Sequence, residues 1–405
     1  MPLSVCEADA SSPITVISTA PTEPNGSLTL IGSSLYGTDL YGGGSGGGSI
    51  FTVNTNGTDF EDLYSFSRSS GGDTPCSGLT LTGSAFYGAT WNGGSGTGPG
   101  TAFGTIFRVG TDGSGFTVLH SFYDVAGDVS GGIMPAGSPV VSGTTLYDVC
   151  NMGGAAGYGM VFKMGIDGSG FTNLHSFAGG ADGAFPFSMN TLSLSGSALY
   201  GTTNTADWGP NSSDNGLYYG TIFKVGTSGS GYQVLHTFAG GVSDGANPTG
   251  GLVLSGSTLY GVASGGGSNN DGVLFRVNVD GTGFGLLHSF AGADGQNPFG
   301  ALTLVGSSLY GSTTNGGAYN DGTIFKIGTD GTGFQMLASF DGTDGEFPEG
   351  GLVFNNSTLY GAAQQGGPGI GTLFAITVPE PSTFILFSIG TITAIAYAWR
   401  RRMAS

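Results

Sequence analysis

Residues 301–340 read ALTLVGSSLYGSTTNGGAYNDGTIFKIGTDGTGFQMLASF, and this stretch decides the fold. Gly, Asn and Asp divide it into four short runs of apolar and β-branched residues, at 301–304, 308–314, 323–327 and 334–340. Runs of this length and composition are typical of β-strands, and Gly-Ser and Asp-Gly pairs are typical of tight turns. The stretch therefore predicts a four-stranded antiparallel meander.

The same meander recurs along the chain. The second run ends at a tyrosine in every copy: Tyr36, Tyr87, Tyr147, Tyr200, Tyr260, Tyr310 and Tyr360. The third run is centred on a phenylalanine in every copy: Phe51, Phe107, Phe162, Phe223, Phe275, Phe325 and Phe374. Four strands in about 50 to 60 residues match one blade of a β-propeller. The sequence predicts an all-β, seven-bladed β-propeller of four-stranded blades.

The fourth run has only six copies, because the last unit stops after its third run at residues 372–377. Residues 14–20 read ITVISTA and precede a Pro- and Gly-containing loop, as the other fourth runs do. We expect this N-terminal strand to complete the seventh blade, so that no sheet edge stays open. The predicted propeller spans residues 14–377, after an N-terminal extension of residues 1–13.

Composition excludes several classes of protein. The chain has 82 Gly and 16 Pro in 405 residues, which argues against long helices in the repeats. Acids outnumber Lys and Arg by 27 to 9, so a phosphate backbone would be repelled and nucleic acid is excluded as a partner. An acidic, weakly charged surface suits neutral ligands or cations. Cys6, Cys76 and Cys150 form neither a disulfide framework nor a zinc pattern.

The loops between the second and third runs are the variable part of the unit. The Tyr-to-Phe separation is 14 or 15 residues in five units, 20 in the second and 23 in the fourth. Variable loops on one face of a rigid scaffold commonly carry binding sites. Candidate ligand-binding residues there are Trp91, Phe103, Asp207, Trp208, Asp214, Tyr218 and Tyr219. Two interpretations stay open: these aromatics stack on a sugar ring, or they fold back and anchor their own loops.

The four histidines occupy one repeated position in the fourth run: His120, His175, His236 and His288. Two other units have Tyr64 and Ala338 there, so the position indicates packing or hydrogen bonding rather than catalysis. The Asp-Gly pairs are typical of turns, and the spaced acids of a calcium loop are absent from the sequence. The sequence predicts no catalytic residue, no metal and no cofactor.

The C-terminus departs from the repeat. Residues 378–382 read VPEPS, residues 383–399 are uncharged, and Arg400, Arg401 and Arg402 follow. Seventeen uncharged residues are at the short end of a membrane span, and the arginines indicate a cytoplasmic stop. The sequence predicts one transmembrane helix at 383–399 and a basic cytoplasmic tail at 400–405.

This tail resembles the PEP-CTERM sorting signal, also known as the ice-binding-protein C-terminal domain. The resemblance implies that an exosortase-type transpeptidase recognises Pro379, Glu380 and Pro381 at the inner membrane and passes the protein to the cell surface or the medium. The alternative is an unprocessed tail anchor. The repeats resemble the GloVer tandem repeats of exported bacterial proteins. Residues 1–13 lack the features of a signal peptide, so we expect a start codon upstream or a truncated precursor.

Two functions are compatible with these patterns. The first hypothesis is a non-enzymatic, exported surface propeller that binds polysaccharide or other envelope material. The second is a polysaccharide lyase or glycosidase that uses acids at the loops or in the central channel. Exposed aromatic side chains would favour the first hypothesis, and converging unrepeated polar residues would favour the second.

Overall fold

The computed structural model describes residues 13–68, 71–94, 102–123, 131–186, 192–204 and 219–378. Within these ranges the chain forms seven antiparallel sheets, and the only helical element there is a 3-10 turn, Gly180–Asp182. The prediction of a seven-bladed propeller with four-stranded blades is confirmed. In blades 2, 3 and 5 the innermost strand is divided into two pieces that pair with the same second strand.

The strands are as follows. The chain begins with β1 (Ile14–Ser18). Blade 1 has β2 (Pro24–Ile31), β3 (Ser34–Asp39), β4 (Ser49–Asn54) and β5 (Glu61–Ser65). Blade 2 has β6 (Asp73–Pro75), β7 (Thr80–Thr82), β8 (Ala85–Asn92), β9 (Ala102–Gly110) and β10 (Thr117–Tyr123). Blade 3 has β11 (Ile133–Pro135), β12 (Val140–Ser142), β13 (Thr145–Met152), β14 (Met160–Gly165) and β15 (Thr172–Ser176).

Blade 4 has β16 (Ser193–Ser195), β17 (Ala198–Thr203), β18 (Thr221–Gly226) and β19 (Gln233–Thr237). Blade 5 has β20 (Gly245–Pro248), β21 (Val253–Ser255), β22 (Thr258–Gly266), β23 (Val273–Asn278) and β24 (Gly285–Ser289). Blade 6 has β25 (Gln296–Val305), β26 (Ser308–Asn315), β27 (Thr323–Gly328) and β28 (Gln335–Ser339). Blade 7 has β29 (Val353–Asn355), β30 (Thr358–Ala363) and β31 (Thr372–Thr377), and β1 is its fourth strand.

The two ends of the repeat region close the ring. Strand β1 pairs antiparallel with β31, with Ile14 opposite Ile376 and Val16 opposite Phe374. The predicted N-terminal closing strand is therefore confirmed, although it ends at Ser18 rather than at Ala20. Because the first and last strands share one sheet, blade 7 is four-stranded like the other blades, with β1 rather than β31 as its outermost strand.

The first strand of each blade lies nearest the propeller axis. Strand β2 of blade 1 contacts β25 of blade 6, although blade 7 lies between them around the ring. In an antiparallel meander, the loops between strands two and three emerge on the same face as the loops between blades. We call this the loop face. The two hairpin turns of each blade emerge on the opposite, turn face.

Each blade contains a fully buried phenylalanine from its third strand. In six blades a glycine of the second strand lies directly over that ring, and an added Cβ would come within 2.6 Å of it. These glycines are Gly37, Gly88, Gly201, Gly261, Gly311 and Gly361. Blade 3 has Asp148 at this position, 1% exposed, with a side-chain Oδ2 that has no hydrogen-bond partner. The repeated glycine is therefore required by close packing of the sheet on the ring.

The predicted fold class also contained a C-terminal transmembrane helix, and this part is wrong. Among the described residues no helix is long and apolar enough to cross a membrane. The Gly-rich repeats form only strands and turns, so the fold class is corrected to an all-β propeller without that helix. The segment for which it was predicted, residues 383–399, lies outside the described residues.

Candidate ligand-binding face

Exposed apolar side chains are concentrated on the loop face. Among the described residues, seven large hydrophobic side chains are exposed, and five of them lie there. Tyr41, Tyr319 and Ile370 are in the loops between strands two and three of blades 1, 6 and 7. Tyr123 ends the last strand of blade 2, and Val242 lies in the loop that enters blade 5. The other two, Leu81 and Met336, lie toward the turn face.

Three of these residues lie on adjacent blades. Blades 6, 7 and 1 follow one another around the closed ring, and each presents one large apolar side chain from the same loop. Tyr319 is 66% exposed, Ile370 56% and Tyr41 53%. A tyrosine offers a broad apolar ring surface and a hydroxyl, at a low cost in side-chain entropy. We call Tyr41, Tyr319 and Ile370 the aromatic-aliphatic arc.

The loop face is acidic. Of the six basic residues in the described ranges, only Arg68 lies on this face, and its Nε is 3.9 Å from Asp73 Oδ2. The other five are in third strands, toward the turn face. Asp321 lies in the same loop as Tyr319, and Asp271 lies in the equivalent loop of blade 5. Glu346 is in the segment between blades 6 and 7. An acidic rim would repel an anionic polymer.

The residues predicted from the long loops are placed differently from this arc. Trp91 is half-buried and packs against the hydrophobic cluster between blades 2 and 3. Phe103 is half-buried at the start of β9, beside Gly93. Tyr219 is half-buried and packs on the cluster between blades 4 and 5. Asp207, Trp208, Asp214 and Tyr218 lie outside the described residues, as do Pro379, Glu380, Pro381, Arg400, Arg401 and Arg402.

The sequence did contain a signal for the arc. Apart from Leu40, the loops that contain Tyr41 and Tyr319 are otherwise made of Gly, Ser, Ala, Asn and Asp, so neither tyrosine has an aromatic neighbour in its own loop on which to pack. Trp91 instead lies within β8, and its ring packs on the cluster between blades 2 and 3. Loop length indicated blades 2 and 4, whereas the exposed tyrosines are those without an aromatic neighbour in a short loop.

The histidines fasten neighbouring blades to each other. His236 stacks on Phe284 of the next blade with ring centroids 3.5 Å apart, and its Nε2 is 3.1 Å from Asp244 Oδ1. The other three also stack on a ring of the following blade: His120 on Phe171, His175 on Tyr232 and His288 on Phe334. His175 and His288 likewise contact Asp182 and Asp294. These contacts agree with the expected packing role.

Two ionisable side chains near the loop face occur in one blade only. Burial raises the pKa of Asp39, in blade 1, to about 6, partly offset by hydrogen bonds from Ser49 and Gly42. Burial alone raises the pKa of Glu349 to about 7. Glu349 lies just before the innermost strand of blade 7, where blades 1, 2 and 3 have Asn25, Cys76 and Ala136.

No metal site is formed in the described part of the chain, where no three His, Cys, Asp or Glu side chains are grouped as ligands. Cys76 and Cys150 are both buried free thiols there, and burial raises the pKa of each. The Cys76 thiol lies 3.4 Å from the carbonyl of Pro135 in the next blade. In blade 5 the hydroxyl of Thr249 makes the equivalent contact with Pro298. Cys76 therefore joins two blades.

Comparisons with known proteins support the repeat and the fold. Residues 208–398, just under half of the chain, match the Gloeobacter/Verrucomicrobia repeat family. No match was found to a PEP-CTERM or ice-binding domain. No curated protein matches the sequence.

The solved structures that resemble this chain are propellers of low sequence identity. An oligogalacturonate lyase in complex with manganese is 13% identical with a TM-score of 0.59, covering 92% of this chain and 95% of that one. An oligogalacturonate lyase from Vibrio parahaemolyticus is 14% identical with a TM-score of 0.56 and the same coverage. A candidate 6-phosphogluconolactonase from Bacteroides uniformis is 15% identical with a TM-score of 0.51, covering 82% and 88%. Such likeness shows the fold alone.

Proposed function

We propose that this chain is a non-enzymatic propeller that binds a neutral polysaccharide on the loop face of blades 6, 7 and 1. The observation that carries the proposal is the aromatic-aliphatic arc, in which Tyr319, Ile370 and Tyr41 are exposed on equivalent loops of three adjacent blades. Side chains of this size are usually buried, and an exposed group of them on one face marks an interaction surface.

The chemistry around the arc favours sugar over other ligands. A pyranose ring presents C–H groups to a flat aromatic face, and its hydroxyls bond to carboxylate, amide and backbone groups at the rim. The loops supply these partners through Asn320, Asp321 and exposed Gly backbone. A polyuronate or phosphate-bearing polymer would meet like charge on this face. The ligand class is therefore a neutral glycan.

A glycan array with the purified chain tests the proposal. We expect retention of neutral polysaccharides, and Tyr319→Ala should lower affinity roughly tenfold, since stacking contributes about 1 to 3 kcal/mol per ring. Met336→Ala is the matched control, because Met336 is also exposed but lies toward the turn face. Equal affinity of the Tyr319→Ala variant and the unaltered chain would contradict the proposal.

Trp91 separates the two interpretations of the long loops. Because its ring packs on the cluster between blades 2 and 3, we propose that it anchors its loop. Trp91→Ala should then lower the melting temperature, whereas Tyr319→Ala should leave it unchanged. A Trp91→Ala variant that keeps its stability but loses glycan affinity would return this residue to the ligand-binding set.

An enzyme is the second candidate, and Glu349 is the observation in its favour. A carboxyl group with a pKa of about 7 is suited to transfer protons at neutral pH. Structural neighbours of this fold include oligogalacturonate lyases. If the chain cleaves polysaccharide, Glu349→Gln should abolish the appearance of unsaturated or reducing ends. Glycan binding without such products supports the first candidate.

We further propose that the protein acts at the cell surface and that Pro379, Glu380 and Pro381 are recognised by an exosortase-type transpeptidase. The order of sequence features in residues 378–402 supports this. Replacement of all three motif residues by Ala should prevent processing in a host that carries the enzyme. The intact mass of the mature protein measures the outcome, and a chain that still ends at Ser405 would contradict the proposal.

A further inference from the structure

The loop that carries Tyr41 is held by a buried carboxyl group. Residues 40–48, which we call the blade 1 loop, connect Asp39 at the end of β3 to Ser49 at the start of β4. Asp39 Oδ1 accepts hydrogen bonds from the backbone N–H of Gly42 at 2.9 Å and of Ser49 at 2.8 Å. One oxygen therefore ties both ends of the loop together, and Asp39 is only 2% exposed.

The hydroxyl of Ser49 lies between two carboxyl groups. Its Oγ is 3.1 Å from Asp39 Oδ2 and 2.7 Å from Asp62 Oδ1. A serine hydroxyl has one proton, so it can donate to only one of two ionised carboxylates. Both contacts become hydrogen bonds when one carboxyl is protonated. Asp39 is the buried member and Asp62 is exposed, so this proton lies on Asp39 Oδ2. The protonated carboxyl group of Asp39 then donates to Ser49 Oγ, and the Ser49 hydroxyl donates to Asp62.

The corresponding loop of blade 6 is braced without an ionisable side chain. There the Gly316 N–H donates to Asn320 Oδ1 at 3.2 Å, and Tyr319 is the exposed residue. At the ends of the same strands, the hydroxyls of Thr313 and Thr323 are 2.8 Å apart, where blade 1 has Asp39 and Ser49. The two loops thus present equivalent tyrosines on different supports, one of which can lose a proton.

We propose that Asp39, Ser49 and Asp62 form a proton-dependent clasp that fixes the blade 1 loop, so that glycan affinity falls when the clasp loses its proton. This inference rests on the proposed function, because the affinity is that of the loop face. When Asp39 loses its proton, its carboxylate and that of Asp62 repel each other across the Ser49 hydroxyl, and the loop that presents Tyr41 loosens.

The electrostatics agree with this geometry. The pKa of Asp39 is raised to about 6, mainly by burial. The negative charge of Asp62 adds to the rise, while hydrogen bonds from Ser49 and Gly42 act in the opposite direction. The clasp is therefore complete below about pH 6. The other charged groups on segments packed against this loop are Glu23, Asp73 and Arg68.

The first experiment measures affinity for a neutral glycan from the array at pH 5.0 and pH 7.5. We expect the unaltered chain to bind roughly fivefold more weakly at pH 7.5, the loss of one weak stacking contact. Asp39→Asn should bind equally at both pH values, since its amide donates to Ser49 without titrating. Tyr41→Ala should also lose the pH dependence, whereas Tyr319→Ala should bind more weakly at both pH values and keep it.

The second experiment needs no ligand, which separates failure of the clasp from failure of the proposed function. Amide hydrogen exchange of residues 40–48 is compared with that of residues 316–322 in the same sample. Protection of the blade 1 loop relative to the blade 6 loop should fall between pH 5.0 and pH 7.5. Asp62→Asn, at an exposed position, should move that change to lower pH, because it removes the neighbouring negative charge that raises the pKa of Asp39, while its amide oxygen still accepts from Ser49.

The outcomes are distinct. A protection ratio that stays constant with pH overturns the clasp, whether or not glycan binds. A ratio that changes, with an affinity that does not, overturns the link between the clasp and the glycan-binding face. A ratio that changes in a chain that retains no glycan supports the clasp and contradicts the proposed function.

Discussion

The contacts between neighbouring blades are stacked rings around most of the propeller, but not on the two sides of blade 7. In blades 1 to 5, a ring in the fourth strand stacks on a ring of the next blade. Tyr64 on Phe116 begins this series, with centroids 3.8 Å apart, and His288 on Phe334 ends it at 3.7 Å. On the two sides of blade 7 the equivalent residues are Ala338 facing Ile14, and Ser18 facing Phe60. No stacked pair can form there.

Blade 7 is also the blade that combines both ends of the repeat region. Its fourth strand comes from residues 14–18, while its other strands come from residues 353–377. The chain thus closes its ring at the place where the interblade contacts are aliphatic or polar rather than stacked. The comparison indicates that the blade-to-blade stacks act locally, as fasteners between consecutive units, and that closure depends on strand pairing.

The largest expected effect comes from removing the closing strand. Deletion of residues 1–20 leaves β31 as an open edge and takes Ile14 out of the core cluster of blade 7. We expect the melting temperature to fall by more than about 10 °C and the protein to aggregate through the exposed edge. Deletion of residues 1–12 is the matched control, because it keeps β1. Similar melting of both truncated chains would show that β1 does not close the ring.

A smaller effect is expected when one fastener is removed from the stacked series. His236→Ala deletes a ring that stacks on Phe284 and meets Phe238 edge-on at 4.9 Å, and it removes a partner of Asp244. We expect a loss of about 2 kcal/mol in the free energy of unfolding by urea. His236→Tyr keeps the ring, as Tyr64 does naturally in blade 1, and should cost much less. An equal loss in both variants would mean that stacking is not what holds the blades.

The stacked histidines should also give the fold a pH dependence. Burial lowers the pKa of His120, His175 and His288. Asp182 partly offsets this lowering for His175, and Asp294 does so for His288. The folded state therefore binds fewer protons than the unfolded state, so these residues reduce stability as pH falls through the unfolded histidine pKa of about 6.5. Asp39 and Glu349, whose pKa values are raised, act in the opposite direction.

One substitution isolates the histidine contribution from the carboxyl groups. His288→Phe keeps a ring against Phe334 but cannot titrate, so the variant should lose less stability than the unaltered chain between pH 7.5 and pH 5.5. Urea unfolding at both pH values measures this difference. A larger acid-induced loss in the variant would show that the ion pair with Asp294 outweighs burial of the imidazole.

Much of this architecture could be predicted from sequence because it is repeated. Seven copies of one strand pattern fixed the blade count, and the missing fourth run identified the closing strand. The histidines could be assigned to packing because their position also accepts Tyr64 and Ala338. Repetition reports the constraints that every blade shares, and these are the constraints of packing.

The candidate site could be predicted only in part, since it depends on features that occur once. Loop length pointed to Trp91, but its exposure depends on whether a neighbouring cluster can accept the ring, which strand pattern alone does not show. The clasp of Asp39, Ser49 and Asp62 requires that β3 and β5 both lie beside Ser49 on β4, and this needs the register of three strands. The predicted membrane helix followed from the uncharged stretch at residues 383–399 and the arginines after it, and it is not part of the corrected fold class.

The smallest expected effect comes from giving blade 7 the fastener that it lacks. Ala338→His together with Ile14→Phe would reproduce, between blades 6 and 7, the pair formed by His288 and Phe334. Asp344 lies six residues after position 338, as Asp294 lies six residues after His288, so the new imidazole would meet a carboxyl group. We expect a coupling of about 0.5 to 1.5 kcal/mol between the two substitutions.

A double-mutant cycle is needed because each single change has its own cost. Ile14→Phe enlarges a side chain that is only 7% exposed, and overpacking of this kind destabilises cores. The coupling energy subtracts that cost, since the same strain is present in the single variant. A coupling near zero would mean that blade 7 holds its strands in an orientation that cannot bring the rings together. The absence of a stack would then be a consequence of how the ring closes rather than of which residues occupy the two positions.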